Sequence, residues 1–370
     1  MTASTIDNRD HLISYLHAAM ALEHATIPPY LTAYYSIHPN TNSDAAHIIR
    51  VVAVEEMLHL TLAANVLNAI GGTPDLTRPG FVPSYPAYLP DGDDKFTVDL
   101  EPFSLHAVGK FCLIEQPRQA PSASSRLVPA PDSGGSFLAS SPTIDGMRYY
   151  SIGEFYAAII EGLEKVAAVD PRLFCGNPAR QVGPEYFYSG GGAVIPVTDL
   201  DSARRALSFI ADQGEGLDSG LYDEDGELAH YYRFRQLELG RYYQVGDLAD
   251  SPSGPQLRVT WDDVYPVKVN ARLADYPPGS ELAEAARNFN ADYGTFLALL
   301  TKAFNGQPSL LQDAIWYMFR LRDAFTRLVR NPLPGSDGLH AAPTFEIPTA
   351  FESDPDVART GGETAEAVPR

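Results

Sequence analysis

Residues 48–70 have the sequence IIRVVAVEEMLHLTLAANVLNAI, an apolar segment that carries acidic and imidazole side chains in its middle. Positions separated by alternating steps of three and four lie on one stripe of an α-helix. One such stripe is apolar apart from two members, and it consists of Ile49, Val52, Glu56, His59, Ala63, Val66 and Ile70. Glu56 and His59 therefore occupy positions at which a core-facing residue is expected.

The pair Glu56 and His59 is a candidate for metal binding. An unpaired buried carboxylate costs several kcal/mol, so it has to be neutralised, paired or bound to a cation. The spacing Glu-x-x-His places both side chains on one helical face, as in carboxylate-rich metal sites of helical bundles. A hydrogen-bonded His–Glu pair without metal would satisfy the same pattern. Glu55 lies roughly 100° around the helix and is expected to be an outer partner of the site or a surface carboxylate.

A preceding helix is predicted over residues 9–37. Pro28 and Pro29 are expected to kink it or to end its regular hydrogen bonding. The following helix is predicted to begin with Asp44 as N-cap and to stop at Gly71.

A short polar turn joins these two helices, so we expect them to pack as an antiparallel pair. In that arrangement Glu23 lies level with Glu56 and His59. A carboxylate at this height is what a metal site within a bundle takes from its first helix. A solvated helix face, or an ion pair with a neighbouring helix, is the alternative for Glu23.

The remainder of the chain predicts a larger helical domain. Further helices are predicted at 104–114, from 151 onward, and at 199–215, 228–240, 281–304 and 309–330. Residues 1–346 are expected to form one domain with a loop or lid insertion near 116–147, because that stretch is rich in Pro, Ser, Ala and Gly. The acidic residues 347–370 are predicted to be a disordered tail.

The second half supplies further candidate ligands. Glu154 lies at the start of one predicted helix and Glu215 at the end of the next, so antiparallel packing would bring them to the same end. Glu154 also fits a capping box with Ser151, which is the alternative to ligation. His230 opens the next helical stretch and could supply a second histidine.

Several tyrosines lie near these motifs, and Tyr30 and Tyr231 are candidates for binding substrate or for redox chemistry. Core packing with a polar tip is the alternative for both.

Composition restricts the function classes. The formal net charge of −20 argues against a nucleic-acid partner and against an anionic membrane surface. Two cysteines, Cys112 and Cys175, are too few for a cysteine-rich metal site. We see neither a signal peptide at the N-terminus nor an apolar run of about 20 residues, so we expect a cytoplasmic protein.

Eight short motifs occur in an order that resembles a known family. They are ALEHATIPPYL (21–31), EEMLH (55–59), LEPFS (100–104), IEQP (114–117), SIGEFY (151–156), QGEG (213–216), HYYRF (230–234) and PTFE (343–346). Together they resemble ferritin-like proteins of the iminophenyl-pyruvate dimer synthase type, which are related to the non-heme iron part of violacein and rebeccamycin pathway enzymes.

The resemblance implies a mainly α fold, namely a ferritin-like helical bundle with additional C-terminal helices and long loop insertions. It also implies one or two non-heme iron ions, held by Glu23, Glu56, His59, Glu154, Glu215 and His230. The family's named activity is oxidative coupling of two imine-bearing aryl pyruvates. Larger members have an additional long region, and some are associated with heme. This chain corresponds only to the ferritin-like portion, so heme is not expected.

The sequence therefore predicts a non-heme iron oxidase or oxygenase. Its expected partners are O₂ and a small aromatic or amino-acid-derived intermediate of natural-product biosynthesis, and self-association into a homo-oligomer is compatible with the pattern. Two alternatives remain at this stage. One is an iron-storage protein without catalysis, and the other is a metal-free helical binding module.

Overall fold

The computed structural model describes residues 6–89, 96–117, 149, 151–187, 191–216 and 220–347. These residues contain the helices α1 (Arg9–Ser36), α2 (Ser43–Ala69), α3 (Leu105–Ile114), α4 (Ile152–Val169), α5 (Leu200–Glu215), α6 (His230–Leu239), α7 (Glu281–Ala303) and α8 (Leu310–Val329). Within the same ranges, β-structure consists of isolated bridges such as that between Ala87 and Val98. The predicted mainly α fold is confirmed. Apart from residues 116–117 and 347, the predicted lid and tail lie outside the described residues.

The predicted helix over residues 9–37 is confirmed as α1, which continues through Pro28 and Pro29 to Ser36. Pro29 has no N–H to donate to the carbonyl of Ala25, which would leave a buried acceptor unpaired. The Tyr85 hydroxyl donates a hydrogen bond of 2.9 Å to this carbonyl. A residue from outside the helix thus replaces the missing backbone donor.

Helix α2 begins one residue before the predicted cap. Its N-cap is Asn42, with a left-handed φ of 46°, and Asp44 lies in the first turn. The Asn42 side chain is bound to the backbone of Thr260 through two hydrogen bonds of 2.8 Å, one donated and one accepted. This distant contact fixes the helix start, while the negative charge of Asp44 still favours the helix N-terminus. The predicted stop is confirmed, since Gly71 follows with a φ of 80°.

The antiparallel packing of α1 and α2 is evident from their contacts. Glu23 approaches His59, whereas Thr26, further along α1, bonds to Glu56, which precedes His59 on α2. Helices α4 and α5 form a second pair, α3 packs on α6, and α7 packs on α8. Helices α3, α4 and α8 contact α1, while α5 and α6 contact α2. The α1–α2 pair is therefore the central element, with neighbours on both of its faces.

The last two predicted helices are confirmed as α7 and α8. The segment after α8 is anchored to α7, because Asn290 and Thr344 exchange hydrogen bonds of 2.8 and 3.1 Å. Phe345 packs edge-on against Phe289 and Tyr293 of α7. Among the described residues, none of the helices combines the length and apolar character that crossing a membrane requires.

Candidate metal centre

The central helix pair brings three predicted site residues together. His59 Nδ1 lies 3.3 Å from Glu23 Oε2 and 3.8 Å from Glu56 Oε1. All three side chains are at most 2% exposed. The stripe of α2 therefore faces the interior, and Glu23 stands level with it.

A second group of donors shares Glu56. His230, the first residue of α6, places its Nδ1 2.9 Å from Glu56 Oε1. The same nitrogen lies 3.6 Å from Oε2 of Glu115, the C-cap residue of α3. In each group the candidate ligand atoms lie within 4.8 Å of one another. The two imidazole rings are near parallel, with centroids 5.4 Å apart.

Both histidines turn Nδ1 toward the carboxylates of the two donor groups and Nε2 toward partners outside these groups. Nε2 of His59 lies 2.9 Å from Oε1 of Gln213, whose amide nitrogen donates to the Gly191 carbonyl. Nε2 of His230 lies 2.9 Å from Oε2 of Glu55. Both partners accept, so each Nε2 carries a proton, and a ring that gives up its second proton presents a lone pair at Nδ1. An outer acceptor that fixes the tautomer in this way is typical of metal-binding histidines.

The three carboxylates are held in matching orientations. One oxygen of each accepts a hydroxyl hydrogen bond: from Tyr156 to Glu23 at 2.5 Å, from Tyr30 to Glu115 at 2.5 Å, and from Thr26 to Glu56 at 3.2 Å. The other oxygen of each faces a histidine Nδ1. Burial raises the pKa of both tyrosines, so their hydroxyls remain donors. Tyr30, a predicted candidate, therefore touches the centre through Glu115.

Without a cation this cluster retains protons. Burial, followed by the charge of Glu115, raises the pKa of Glu56 to about 8. Burial lowers the pKa of His230, but the surrounding carboxylates outweigh it and raise this pKa well above its usual value. Among the described residues, neither Lys nor Arg forms an ion pair with Glu23, Glu56 or Glu115. The protons on the histidines and on Glu56 therefore supply the positive charge that a bound metal ion would replace.

The donor set fits a transition-metal ion. Ligand atoms at 2.0–2.2 Å around one ion lie roughly 3 to 4.2 Å from one another. The nitrogen–oxygen distances of 2.9, 3.3, 3.6 and 3.8 Å correspond to that range. His230 Nδ1 makes no well-directed hydrogen bond within the described residues, although a carboxylate oxygen is adjacent. Mixed imidazole and carboxylate ligation suits non-heme iron.

Comparisons with known proteins agree with this architecture. A family model described as "Ferritin-like" matches residues 16–239, which include the whole cluster. This chain belongs to the ferritin-like family. A crystal structure of a ferritin-like protein from Caulobacter vibrioides has the same fold, with a TM-score of 0.57 and 24% identity over 90% of this chain and 97% of that one.

Two relatives of this ferritin-like protein have names that describe enzymes. Dichlorochromopyrrolate synthase of Lentzea aerocolonigenes is 28% identical over 97% of this chain and 38% of its own length. The 2-imino-3-(indol-3-yl)propanoate dimerase of Chromobacterium violaceum is 26% identical over 83% of this chain and 28% of its own length. The chain thus spans well under half the length of these relatives.

Glu55 is buried in this ferritin-like protein, so its interpretation as a surface carboxylate is wrong and it is an outer partner. Besides His230, its oxygens accept hydrogen bonds of 3.0 and 3.2 Å from Arg233. Burial raises the pKa of Glu55, but His230 and Arg233 outweigh it and lower this pKa. Gly191 lies against Glu55 with a φ of 88°, and a Cβ there would come within 2.4 Å of the Glu55 side chain.

Glu154 and Glu215 lie at the same end of α4, as the antiparallel arrangement predicts, but belong to neither donor group. The Glu154 backbone N–H donates to Ser151 Oγ at 3.1 Å, as expected of a helix cap. Glu215 Oε1 accepts a hydrogen bond of 2.6 Å from the Gly153 N–H. Their ligation stays a prediction, and these contacts favour roles at the N-terminus of α4.

Tyr231 is half-buried and packs edge-on against Tyr232, with ring centroids 4.9 Å apart. Its catalytic role also stays a prediction.

Reasoning from sequence missed one candidate metal ligand, Glu115. It lies within the IEQP motif, but it follows the end of a short helix and belongs to no periodic stripe. The available signal was a single acidic residue directly after an apolar helical segment, which is common at helix ends. Its role becomes visible only when α3 packs against α1 and α6.

Proposed function

We propose that this ferritin-like protein holds two non-heme iron ions and uses them for O₂-dependent oxidation of a small aromatic, amino-acid-derived molecule. The observation that carries the proposal is the pair of donor groups sharing Glu56. Glu23 and His59 would hold one ion, Glu115 and His230 the other, and Glu56 would lie between them. Bound iron would supply O₂ activation and electron transfer to the site.

The chain's own residues have definable tasks in this proposal. Tyr156, Thr26 and Tyr30 orient the three carboxylates, and Gln213 and Glu55 keep the Nδ1 lone pairs directed inward. Burial of the centre excludes bulk water and strengthens each of these polar interactions. The result is a preorganised site whose charge is balanced by protons when it is empty and by cations when metal is bound.

The names of two relatives support a substrate class. One is named for chromopyrrolate formation and the other for dimerisation of an indole-bearing imino acid. We infer that this chain also acts on an imino or oxo acid with an aromatic ring. The alignments with the two relatives cover 97% and 83% of this chain, and the donor groups lie in its ferritin-like region, so the inference concerns chemistry at this centre.

The test is product formation by the full chain loaded with Fe(II) under anaerobic conditions. The imine of indole-3-pyruvate, generated from tryptophan by an amino-acid oxidase with catalase present, is supplied together with O₂. Mass spectrometry should detect an oxidised or coupled product with wild type and with His47→Ala, an exposed-histidine control on α2. His59→Ala and His230→Ala should lose it at least about a hundredfold.

Equal product from chelated and iron-loaded protein would refute the iron-dependent reaction. Many iron atoms per chain would indicate storage instead. Unchanged melting after chelation, together with no stoichiometric metal, would indicate a metal-free module.

A further inference from the structure

An apolar cavity of about 370 Å³ lies between the α1–α2 pair and the α7–α8 pair. Small-molecule sites have volumes of roughly 300 to 1,000 Å³ and combine apolar walls with a few placed polar groups. Most side chains around this cavity are aliphatic or aromatic, including Phe289, Phe296 and Phe325. The cavity therefore has the size and lining of a ligand site.

The cavity and the metal centre lie on different faces of the central helix pair. The α1 residues that line the cavity are His24, Ile27, Leu31 and Tyr35, and those from the same side of α2 include Arg50, Val54, Met57 and Thr61. Each set follows helical steps of three and four and so forms one stripe. Neither Glu23, Glu56, His59, Glu115 nor His230 lines the cavity. A molecule bound there would be separated from the donors by α1 and α2.

One end of the cavity carries a buried polar pair. Nε2 of His24 lies 2.8 Å from the Tyr293 hydroxyl. The other ring nitrogen, Nδ1, has no hydrogen-bond partner among the described residues, although His24 is only 1% exposed. A buried polar atom without a partner is costly and uncommon. In the tautomer with the proton on Nε2, a ligand N–H would donate to Nδ1, and a ligand hydroxyl group would pair with Nδ1 in either tautomer.

The opposite end is basic. Tyr35 lies about 16 Å along α1 from His24 at the usual helical rise. Tyr35 lines the cavity together with Arg50 and Arg322. Burial raises the pKa of Tyr35, and the two guanidinium groups act against this rise. Asp323 pairs with Arg322 at 3.2 Å, which leaves Arg50 as the additional positive charge. Both arginines are exposed at the rim of the cavity.

We propose that this cavity binds an aromatic carboxylate, with its ring near His24 and Tyr293 and its carboxylate near Arg50 and Arg322, independently of the metal centre. The charges at the rim favour an anionic ligand, because an aromatic cation would be repelled by the guanidinium groups of Arg50 and Arg322 and attracted only by the carboxylate of Asp323. The aromatic walls favour a ligand with an aromatic ring. A short aliphatic acid would make fewer contacts with these walls and would leave His24 Nδ1 without a partner. The proposal does not rest on the proposed oxidation.

Calorimetric titration of the metal-free full chain with indole-3-propionate tests it. We expect one molecule bound per chain, with tryptamine and hexanoate at least about tenfold weaker. Iron-loaded protein and His59→Ala should bind indole-3-propionate as the metal-free wild type does. Failure of the oxidation assay would leave these results unchanged, so the two proposals fail separately.

Variants locate the bound molecule. The double variant Arg50→Gln, Arg322→Gln should weaken binding about tenfold, whereas Arg327→Gln, an exposed α8 arginine outside the lining, should not. Met318→Trp should abolish binding by filling the cavity while iron content stays unchanged. Absence of binding by wild type, equal affinity for tryptamine, or full binding by Met318→Trp would overturn the proposal.

Discussion

The two halves of the centre have the same donor chemistry but different surroundings. The Glu23 half consists of Glu23 and His59 with the shared Glu56, and its histidine donates to the neutral amide of Gln213. The Glu115 half consists of Glu115 and His230 with Glu56, and its histidine donates to the carboxylate of Glu55, which Arg233 holds in place. An ionised outer acceptor makes an imidazole a stronger ligand than a neutral one does. Two similar donor sets can therefore bind metal with different affinity, and we expect tighter binding in the Glu115 half.

The largest expected effect comes from Glu56, because both halves use it. Glu56→Ala should reduce iron from about two ions per chain to nearly none, as measured by elemental analysis after anaerobic loading and desalting. Removing a buried acidic group whose pKa is already raised should not prevent folding. Glu164→Ala, an exposed carboxylate on α4, is the matched control and should bind iron as wild type does. Retention of two iron ions by Glu56→Ala would show that the two halves do not share Glu56 as a ligand.

The metal-free protein should lose stability as pH rises. The folded-state pKa of Glu56 is raised from 4.5 to about 8. Between these values the unfolded chain has released the proton while the folded chain retains it, so the free energy of unfolding falls with rising pH. The raised pKa values of His59 and His230 act in the same direction above their usual value of 6.5. The expected fall between pH 5 and 8 is about 3 kcal/mol.

Urea unfolding of chelated protein at several pH values measures this dependence. Iron replaces the protons, so the loaded protein should show a smaller slope or the opposite one. Glu56→Gln should flatten the slope of the metal-free protein. A slope that is equal with and without iron would contradict the account.

Changing the outer acceptors tests the difference between the halves directly. Glu55→Gln gives the Glu115 half an amide acceptor like Gln213 and should weaken iron binding there about 10- to 100-fold. Gln213→Glu gives the Glu23 half a carboxylate acceptor and should strengthen binding in that half. Competition with a chelator of known affinity measures both changes. Equal iron affinities in the two halves of wild type would show that the outer acceptors Glu55 and Gln213 do not set the affinity.

The smallest effects should come from the two tyrosines, one in each half. Tyr30→Phe and Tyr156→Phe each remove one hydroxyl bond to a ligand carboxylate, in the Glu115 half and the Glu23 half respectively. Each should weaken iron binding by about 1 to 2 kcal/mol, a change of roughly five- to thirtyfold in the half concerned. Tyr231→Phe is the control and should leave iron affinity unchanged. An equal loss of iron affinity in Tyr231→Phe would show that the effect does not depend on the hydroxyl bonds to Glu115 and Glu23.

The Glu23 half could be placed from sequence because its residues lie on two long, adjacent helices. Helical periodicity put Glu56 and His59 on the buried stripe, and antiparallel packing put Glu23 beside them. His230 was identified as a candidate, but its neighbours in space were not. Such local patterns extend over one helix or one helix pair.

The Glu115 half depends on tertiary packing that no periodic pattern in the sequence predicts. Glu115 becomes a candidate metal ligand only because the end of α3 meets α1 and α6. The buried Glu55 is paired with His230 and Arg233, both distant in sequence. Similarly, the continuation of α1 past Pro29 depends on Tyr85, and the start of α2 depends on Thr260. In each of these cases the deciding partner is distant in sequence.

Anomalous X-ray diffraction at the iron edge would reveal whether two iron ions share Glu56. Crystals of the full chain loaded anaerobically with Fe(II) should give two peaks, one beside Glu23 and His59 and one beside Glu115 and His230, with Glu56 between them. A single peak, or iron bound at Glu154 and Glu215 instead, would contradict the account.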